Sequence, residues 1–321
     1  MRMNKQRAVL LASATMLIGC NAAHAERAYV PNEGDGSISV IELGAKPASS
    51  RLLTTASLGK KIQGLAVDKS GKLLFVVDAA ASVVLVVDTA TGELKKTIPA
   101  GKSPEAAELS PDGKTLAVCS EESNQAVFID VATLSERYRI DMQGRNPEHC
   151  VYSPDGLWLL ASNEESHDID VIDIAARKSV ARVAIDGAAR GIGFLPDGKT
   201  AYVANEGANA VDVIDIAARK VSKSIPTALR AAGIAVQPGG KFVYASNGGA
   251  GTVSVIDTRT QAIVASIGVG QRPWNMAFNA DGSRLYVANG RTDNVSVIDT
   301  ASNQVVDTIA VGKRPWGVVV R

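Results

Sequence analysis

Short apolar runs, many of them alternating with polar residues, recur along almost the whole chain at a fixed period. A run ending in Ile/Val-Asp appears as VLVVD, AVFID, IDVID, VDVID, VSVID and VSVID, closing at Asp88, Asp130, Asp173, Asp215, Asp257 and Asp299. The intervals are 42, 43, 42, 42 and 42 residues, and ISVIE, ending at Glu42, is a seventh, more distant copy. A second marker lies between them: DKSG, SPDG, SPDG, LPDG, QPGG and NADG, ending at Gly71, Gly113, Gly156, Gly198, Gly240 and Gly282. Within one unit WNMAF, RLYVAN, VSVID and QVVDTIAVG follow one another with turn residues between them. Their Val, Ile and Tyr content predicts four short strands. Pro-Asp-Gly suits the first reversal, because Pro presets φ, Asp bonds the local backbone and Gly takes the left-handed conformation. No segment carries a helical period.

Four antiparallel strands repeated every 40 or so residues predict an all-β fold, a β-propeller. The terminal GKRPWGVVVR begins like GQRPWNMAF at 270–278 but stops before a turn marker. An open ring would leave two sheet edges unpaired, which invites aggregation. Residues 315–320 are therefore expected to be the inner strand of a blade whose other strands are AYVPN (28–32), SISVIEL (37–43) and the segment 49–59. The result is a seven-bladed β-propeller of four-stranded antiparallel blades, its ring closed where the C-terminal strand joins the N-terminal blade.

Composition separates the first residues from the rest. MRMNKQR is basic, AVLLASATMLIG is apolar, and Ala23-His24-Ala25 offers small residues where a signal peptidase cleaves. Residues 1–25 are thus expected to be an export signal and 26–321 the propeller, which places the protein in the periplasm. Leu17-Ile18-Gly19-Cys20 also resembles a lipobox, so a lipoprotein anchored through Cys20 is the alternative. Loss of residues 1–25 leaves 31 Lys+Arg against 33 Asp+Glu, a balance unsuited to nucleic acid. Cys119 and Cys150 remain in an oxidising compartment. Two buried apolar thiols are favoured over a bridge, since sequence does not bring their Cα atoms together.

The YVAN strand, VSVIDT and the PDGKT turn resemble the YVTN-repeat β-propellers over residues 27–321. SPEAAELSPDGKTLAVCSEESNQAVFID (103–130) and VGKRPWGVVVR resemble the subgroup associated with PQQ-dependent alcohol catabolism. That resemblance implies a periplasmic accessory role beside a quinoprotein dehydrogenase or cytochrome. It does not fix a chemistry.

A position that varies while its neighbours repeat is a candidate for function. Eight residues before each turn glycine stand Gln63, Glu105, Glu148, Arg190, Ala232 and Trp274, and Trp316 is the matching residue of the last copy. These are expected to ring one mouth of the central channel. Glu33, Glu121, Glu122, Glu164, Glu165 and Glu206 follow the second strands and open on the same face. Glu105, Glu148, His149, Arg190, Trp274 and Trp316 then form a ligand- or partner-binding mouth, acidic with one imidazole on one side and aromatic on the other. Each also has a plainer role: the tryptophans pack on the preceding proline, the glutamates form a solvated rim, and His149 is an ordinary hydrogen-bonded histidine. His167 sits in a polar loop, and the strand-end aspartates serve turns.

Catalytic signatures are missing: no CxxCH, HExxH, GxSxG or GxGxxG opening a helix. No cofactor is expected, and no loop has a ligand spacing that demands a metal, although the carboxylates of three consecutive blades could converge. The favoured reading is a non-catalytic binding or scaffold protein that engages a periplasmic protein or small ligand. The alternative is a lactonase-like propeller using Glu148, His149 and Arg190 as base and oxyanion partner.

Overall fold

The computed structural model describes residues 26–44 and 50–321. The expected export segment, including Cys20, lies outside the described residues. Seven four-stranded antiparallel sheets follow the repeat. Blade 1 combines Arg27–Asn32, Ser37–Glu42 and Arg51–Ser57 with the C-terminal Val319–Val320. Blades 2 to 7 span 62–99, 104–141, 147–184, 189–226, 231–268 and 273–310.

Each turn marker does what its residues dictate. The marker glycines Gly71, Gly113, Gly156, Gly198, Gly240 and Gly282 all have φ between 67° and 74°, where a Cβ is unfavourable. The strand-end aspartates accept backbone N–H groups two or three residues on, as Asp130 does from Ala132 and Thr133. The asparagine of the YVAN strand also has a defined role. Buried Asn289 donates to Asn294 Oδ1 and Ser296 Oγ at 2.8 and 2.9 Å, tying the second strand to the third. Asn32, Asn163, Asn205 and Asn247 repeat that bond on their own blades.

The core is divided among the gaps between blades. Phe75, Val84 and Val86 of blade 2 meet Leu116, Val118 and Ile129 of blade 3. Equivalent clusters fill each of the other gaps, including Ala28, Val30 and Ile41 of blade 1 against Tyr286, Val295 and Val297 of blade 7. Packing therefore joins the hydrogen bonds in closing the circle. Every outer strand is bulged at the same point against the third strand, as between Val297 and Ile298, which blunts the exposed edge.

The C-terminal strand latches onto blade 1 as the repeat requires, with less regular pairing than a full strand over 315–320. Only Val319 and Val320 form a continuous ladder, opposite Tyr29 and Ala28. Pro315 bridges Asn32, and Trp316 N–H donates to the Pro31 carbonyl at 2.9 Å. The pairing breaks at Gly317 and Val318, where Val318 turns its side chain into the core between blades 1 and 7.

The cysteines correct the expectation of two thiols: Cys119 and Cys150 form a disulfide. One is on the second strand of blade 3 and the other on the inner strand of blade 4, facing each other across one packed gap. That packing brings their Cα atoms to 6.0 Å, within bridging range. A separation of 31 residues along the chain conceals the proximity.

Candidate functional site at the channel mouth

Each inner strand starts at the same end of the channel, and its second residue stands at the mouth. Gln63, Glu105, Glu148, Arg190 and Ala232 lie there on the inner strands of blades 2 to 6, Trp274 on that of blade 7, and Trp316 on the terminal segment of blade 1. A backbone bond repeated on all seven blades fixes the surrounding loops. Examples are Glu121 N–H to the Ser103 carbonyl, Glu164 to Asn146, Glu206 to Ala188 and Gly290 to Arg272.

Arg190 is the hub of the charged side. Its guanidinium bonds Glu148 Oε1, reaches Glu164 Oε1 at 2.6 Å and reaches Glu206 Oε2 through Nε at 2.6 Å. The Arg190 side chain is 11% exposed, with Glu148 at 4% and Glu206 at 9%, so this is a largely desolvated cluster. In such a cluster each buried charge depends on its partner, because loss of one strands the other away from water. Burial pushes the Glu206 carboxyl up, but Arg190 and Arg230 more than offset it and hold it below its ordinary value. For the more open Glu164, burial and the neighbouring Glu206 leave the carboxyl raised.

Glu105 lies outside that arginine clamp. One oxygen each of Glu105, Glu121 and Glu148 lies within 4.8 Å of the others. Burial, then a side-chain hydrogen bond to Glu121 and the charge of Glu121, push the Glu105 carboxyl well above the usual carboxylate range. Gln63 Nε2 donates to Glu105 Oε1 at 3.3 Å, and Ser103 Oγ donates to Glu121 Oε2 at 2.8 Å.

One residue deeper, the inner strands carry Gly64, Ala106, Gly191, Gly233 and Gly317 on five blades, but His149 and Asn275 on blades 4 and 7. Small residues are needed where strands crowd: a Cβ at Gly191 would stand 2.8 Å from the Ala232 carbonyl oxygen. The two large residues instead cross the channel and meet, His149 Nε2 lying 3.2 Å from Asn275 Oδ1. The Asn275 amide nitrogen faces the Trp316 carbonyl at 3.4 Å, so its oxygen faces the histidine and Nε2 carries the proton. Nδ1 is shielded from solvent without a partner. The imidazole stacks on Trp316 at 5.4 Å between centroids, and burial pushes its pKa down to about 4. His149 is therefore a neutral plug.

On the aromatic side the tryptophans have charged and aromatic neighbours. Trp274 lies under two guanidinium groups, Arg272 at 4.4 Å and Arg190 at 6.0 Å from its ring centroid. Arg230, Arg272 and Arg314 stand on adjacent blades at turn residues with φ of 62°, 55° and 54°. Arg230 bonds Glu206, and Arg314 pairs with Glu33 at 3.2 Å. The mouth is thus split into an acidic arc on blades 3 to 5 and a basic arc on blades 6, 7 and 1. The expected mouth residues all lie at this end, but they separate into a carboxylate–arginine cluster and a histidine–tryptophan plug. Glu122, Glu165 and His167 are exposed at the rim.

The arginine arc and Asn275 are the site residues that sequence reading missed, and both carried a signal. Two positions before the mouth residue the copies read Lys61, Ser103, Asn146, Ala188, Arg230, Arg272 and Arg314. Asn275 breaks a run of Gly and Ala just as His149 does.

Residues 175–306 match the family described as lactonase, seven-bladed beta-propeller. No curated protein matches the chain. Among solved structures, hydrazine synthase of Kuenenia stuttgartiensis is similar at 24% identity and a TM-score of 0.79, over 87% of this chain and 92% of that one. A protein of unknown function from Desulfotomaculum acetoxidans is similar at 16% identity and a TM-score of 0.79, covering 92% and 98%. A candidate 6-phosphogluconolactonase from Bacteroides fragilis is similar at 19% identity and a TM-score of 0.77, covering 94% and 99%. The matched segment holds Arg190, Glu206, Arg272 and Trp274 but not Glu105, Glu148, His149 or Trp316. Repeat, architecture and matched residues together make this chain a seven-bladed β-propeller similar to the lactonase-type propellers.

Proposed function

We propose that this chain is an exported, non-catalytic binding propeller whose charge-split mouth recognises a periplasmic protein, in support of PQQ-dependent alcohol oxidation. The observation that carries this reading is the mutual engagement of the residues suited to hydrolysis. Arg190 is clamped by three carboxylates, and His149 is neutral, stacked and bonded to Asn275. An oxyanion partner must have donors free to face the developing charge, and a general base must reach substrate. Arg230 and Arg314, by contrast, are at least half exposed on one arc of the rim. Adjacent arcs of opposite charge suit the orientation of a charged partner. The resemblance of segment 103–130 and of the terminal strand supplies the quinoprotein context.

The match of residues 175–306 to the lactonase family favours a second reading, lactone hydrolysis at the same mouth. Two assays separate them. The full chain is titrated with purified quinoprotein alcohol dehydrogenase and its cytochrome, and is also assayed against a lactone panel. Binding that weakens in Arg230→Ala and Arg314→Ala and with rising salt supports recognition. Lactone turnover abolished by His149→Ala and Glu148→Gln, with no binding of either protein, would overturn it.

A further inference from the structure

Glu105, Glu121 and Glu148 come from two adjacent blades, yet one oxygen of each lies within 4.8 Å of the others. Two of them are deeply buried: Glu105 is 7% exposed and the Glu148 side chain 4%. Among the described residues neither Glu105 nor Glu121 has an ion pair, because the charge of Arg190 is shared among Glu148, Glu164 and Glu206. Buried like charges in one place need a counter-charge or a proton.

A separate observation concerns Gln63 of blade 2, which is not an acid and is 4% exposed. Its amide reaches this cluster, Nε2 donating to Glu105 at 3.3 Å. The Gln63 Oε1 atom is buried without a partner, and so is Glu105 Oε2. A buried carbonyl oxygen and a buried carboxylate oxygen left bare on two hydrogen-bonded side chains are costly unless something accepts their lone pairs. An acceptor-only set of oxygens is the donor chemistry of a hard divalent cation.

We propose that Glu105, Glu121 and Glu148, with the side-chain oxygen of Gln63, bind one divalent cation of the calcium class at the channel mouth. The spacing fits that class. Ligand oxygens about 2.3–2.6 Å from a calcium ion lie up to roughly 5 Å apart across it, whereas magnesium demands a tighter octahedron. Arg190 engages Glu148 Oε1, and a carboxylate can hold a cation through its second oxygen at the same time. Ser103 holds Glu121 in place through its Oε2. The proposal is independent of what the mouth recognises, since it requires only the folded chain and a cation. The competing occupant is a proton shared by Glu105 and Glu121.

The test is calorimetric titration of the full chain, stripped with chelator, with CaCl2, MnCl2 and MgCl2 at neutral pH, alongside thermal melts. One equivalent of Ca2+ should bind in the micromolar to millimolar range, release protons and raise the melting temperature. Affinity should fall at least about tenfold in Glu121→Gln and be retained in Glu122→Gln, whose exposed carboxylate is outside the cluster. Glu105→Gln should abolish the Ca2+-dependent shift while raising the melting temperature of the stripped protein, because a buried charge is gone. No binding heat and no thermal shift with any of the three cations, in protein folded by circular dichroism, would mean that a proton occupies the cluster and would overturn the proposal. Binding that Glu121→Gln leaves unchanged would equally overturn it, by placing the cation elsewhere. If Glu105→Gln fails to fold, half-buried Glu121 still decides the question.

Discussion

Replacing Arg190 with Met tests whether the mouth is held by a desolvated charge cluster. Methionine keeps an unbranched apolar shaft, so the loss is chiefly the guanidinium. Glu206 would retain Arg230, and Glu164 is 31% exposed and can be hydrated. Glu148 would be stranded, since its side chain is 4% exposed and Arg190 is the ion pair it makes among the described residues. Breaking a buried pair by removing one partner costs about 3–5 kcal/mol. For a chain of 321 residues, an unfolding entropy of about 2.1 cal/mol/K per residue converts this to a drop of roughly 4–7 °C in melting temperature. The loss should depend on pH. Glu206 has a folded-state pKa below its ordinary 4.5, so in the native chain it contributes stability that is present above that value and is lost as pH falls through the folded pKa. Without Arg190 the clustered carboxyls are raised and bind protons more readily than in the unfolded chain. The gap between native and variant should therefore be widest near pH 7.5 and narrow towards about pH 4.5. Scanning calorimetry at several pH values measures both. A drop under 2 °C, or one equal at pH 7.5 and pH 5, would refute a desolvated cluster and indicate a hydrated surface pair worth about 0–1 kcal/mol.

Two other predictions concern closure of the ring and the disulfide between blades 3 and 4. Ending the chain before Pro315 removes buried Trp316 and Val318 together with the pairing to blade 1. At about 1.5–3 kcal/mol for each buried side chain, melting should fall by at least about 5 °C, with blade 1 newly prone to self-association, and unchanged melting and monodispersity would contradict closure through the terminal strand. Changing Cys119 and Cys150 together to Ala opens a loop of 31 residues and should destabilise by about 3.5 kcal/mol on the chain-entropy account; equal denaturant midpoints for the variant and the oxidised protein would show that the bridge adds nothing to packing that already holds blades 3 and 4 together.

The blades, their number and the way the ring closes could all be read from the repeat along the chain. Strand alternation, Pro-Asp-Gly turns and a 42-residue period are local or periodic properties, and a repeat states them several times over. The position of the mouth residues was legible for the same reason, because a residue's place within one unit fixes its place around the axis. Which of those residues touch became visible only in the folded chain. Arg190 could have faced solvent, and its selection of Glu148, Glu164 and Glu206 depends on side-chain reach across blade boundaries. The bridge between Cys119 and Cys150 depends on the width of one packed gap, and the meeting of His149 with Asn275 on the diameter of the channel. These are distances between units remote in the chain, and no pattern along a single strand encodes them. The terminal strand shows the boundary most clearly. Its destination was written in the repeat, but its break after Pro315, at the point where every other inner strand also shifts register, shows only in the strand pairing.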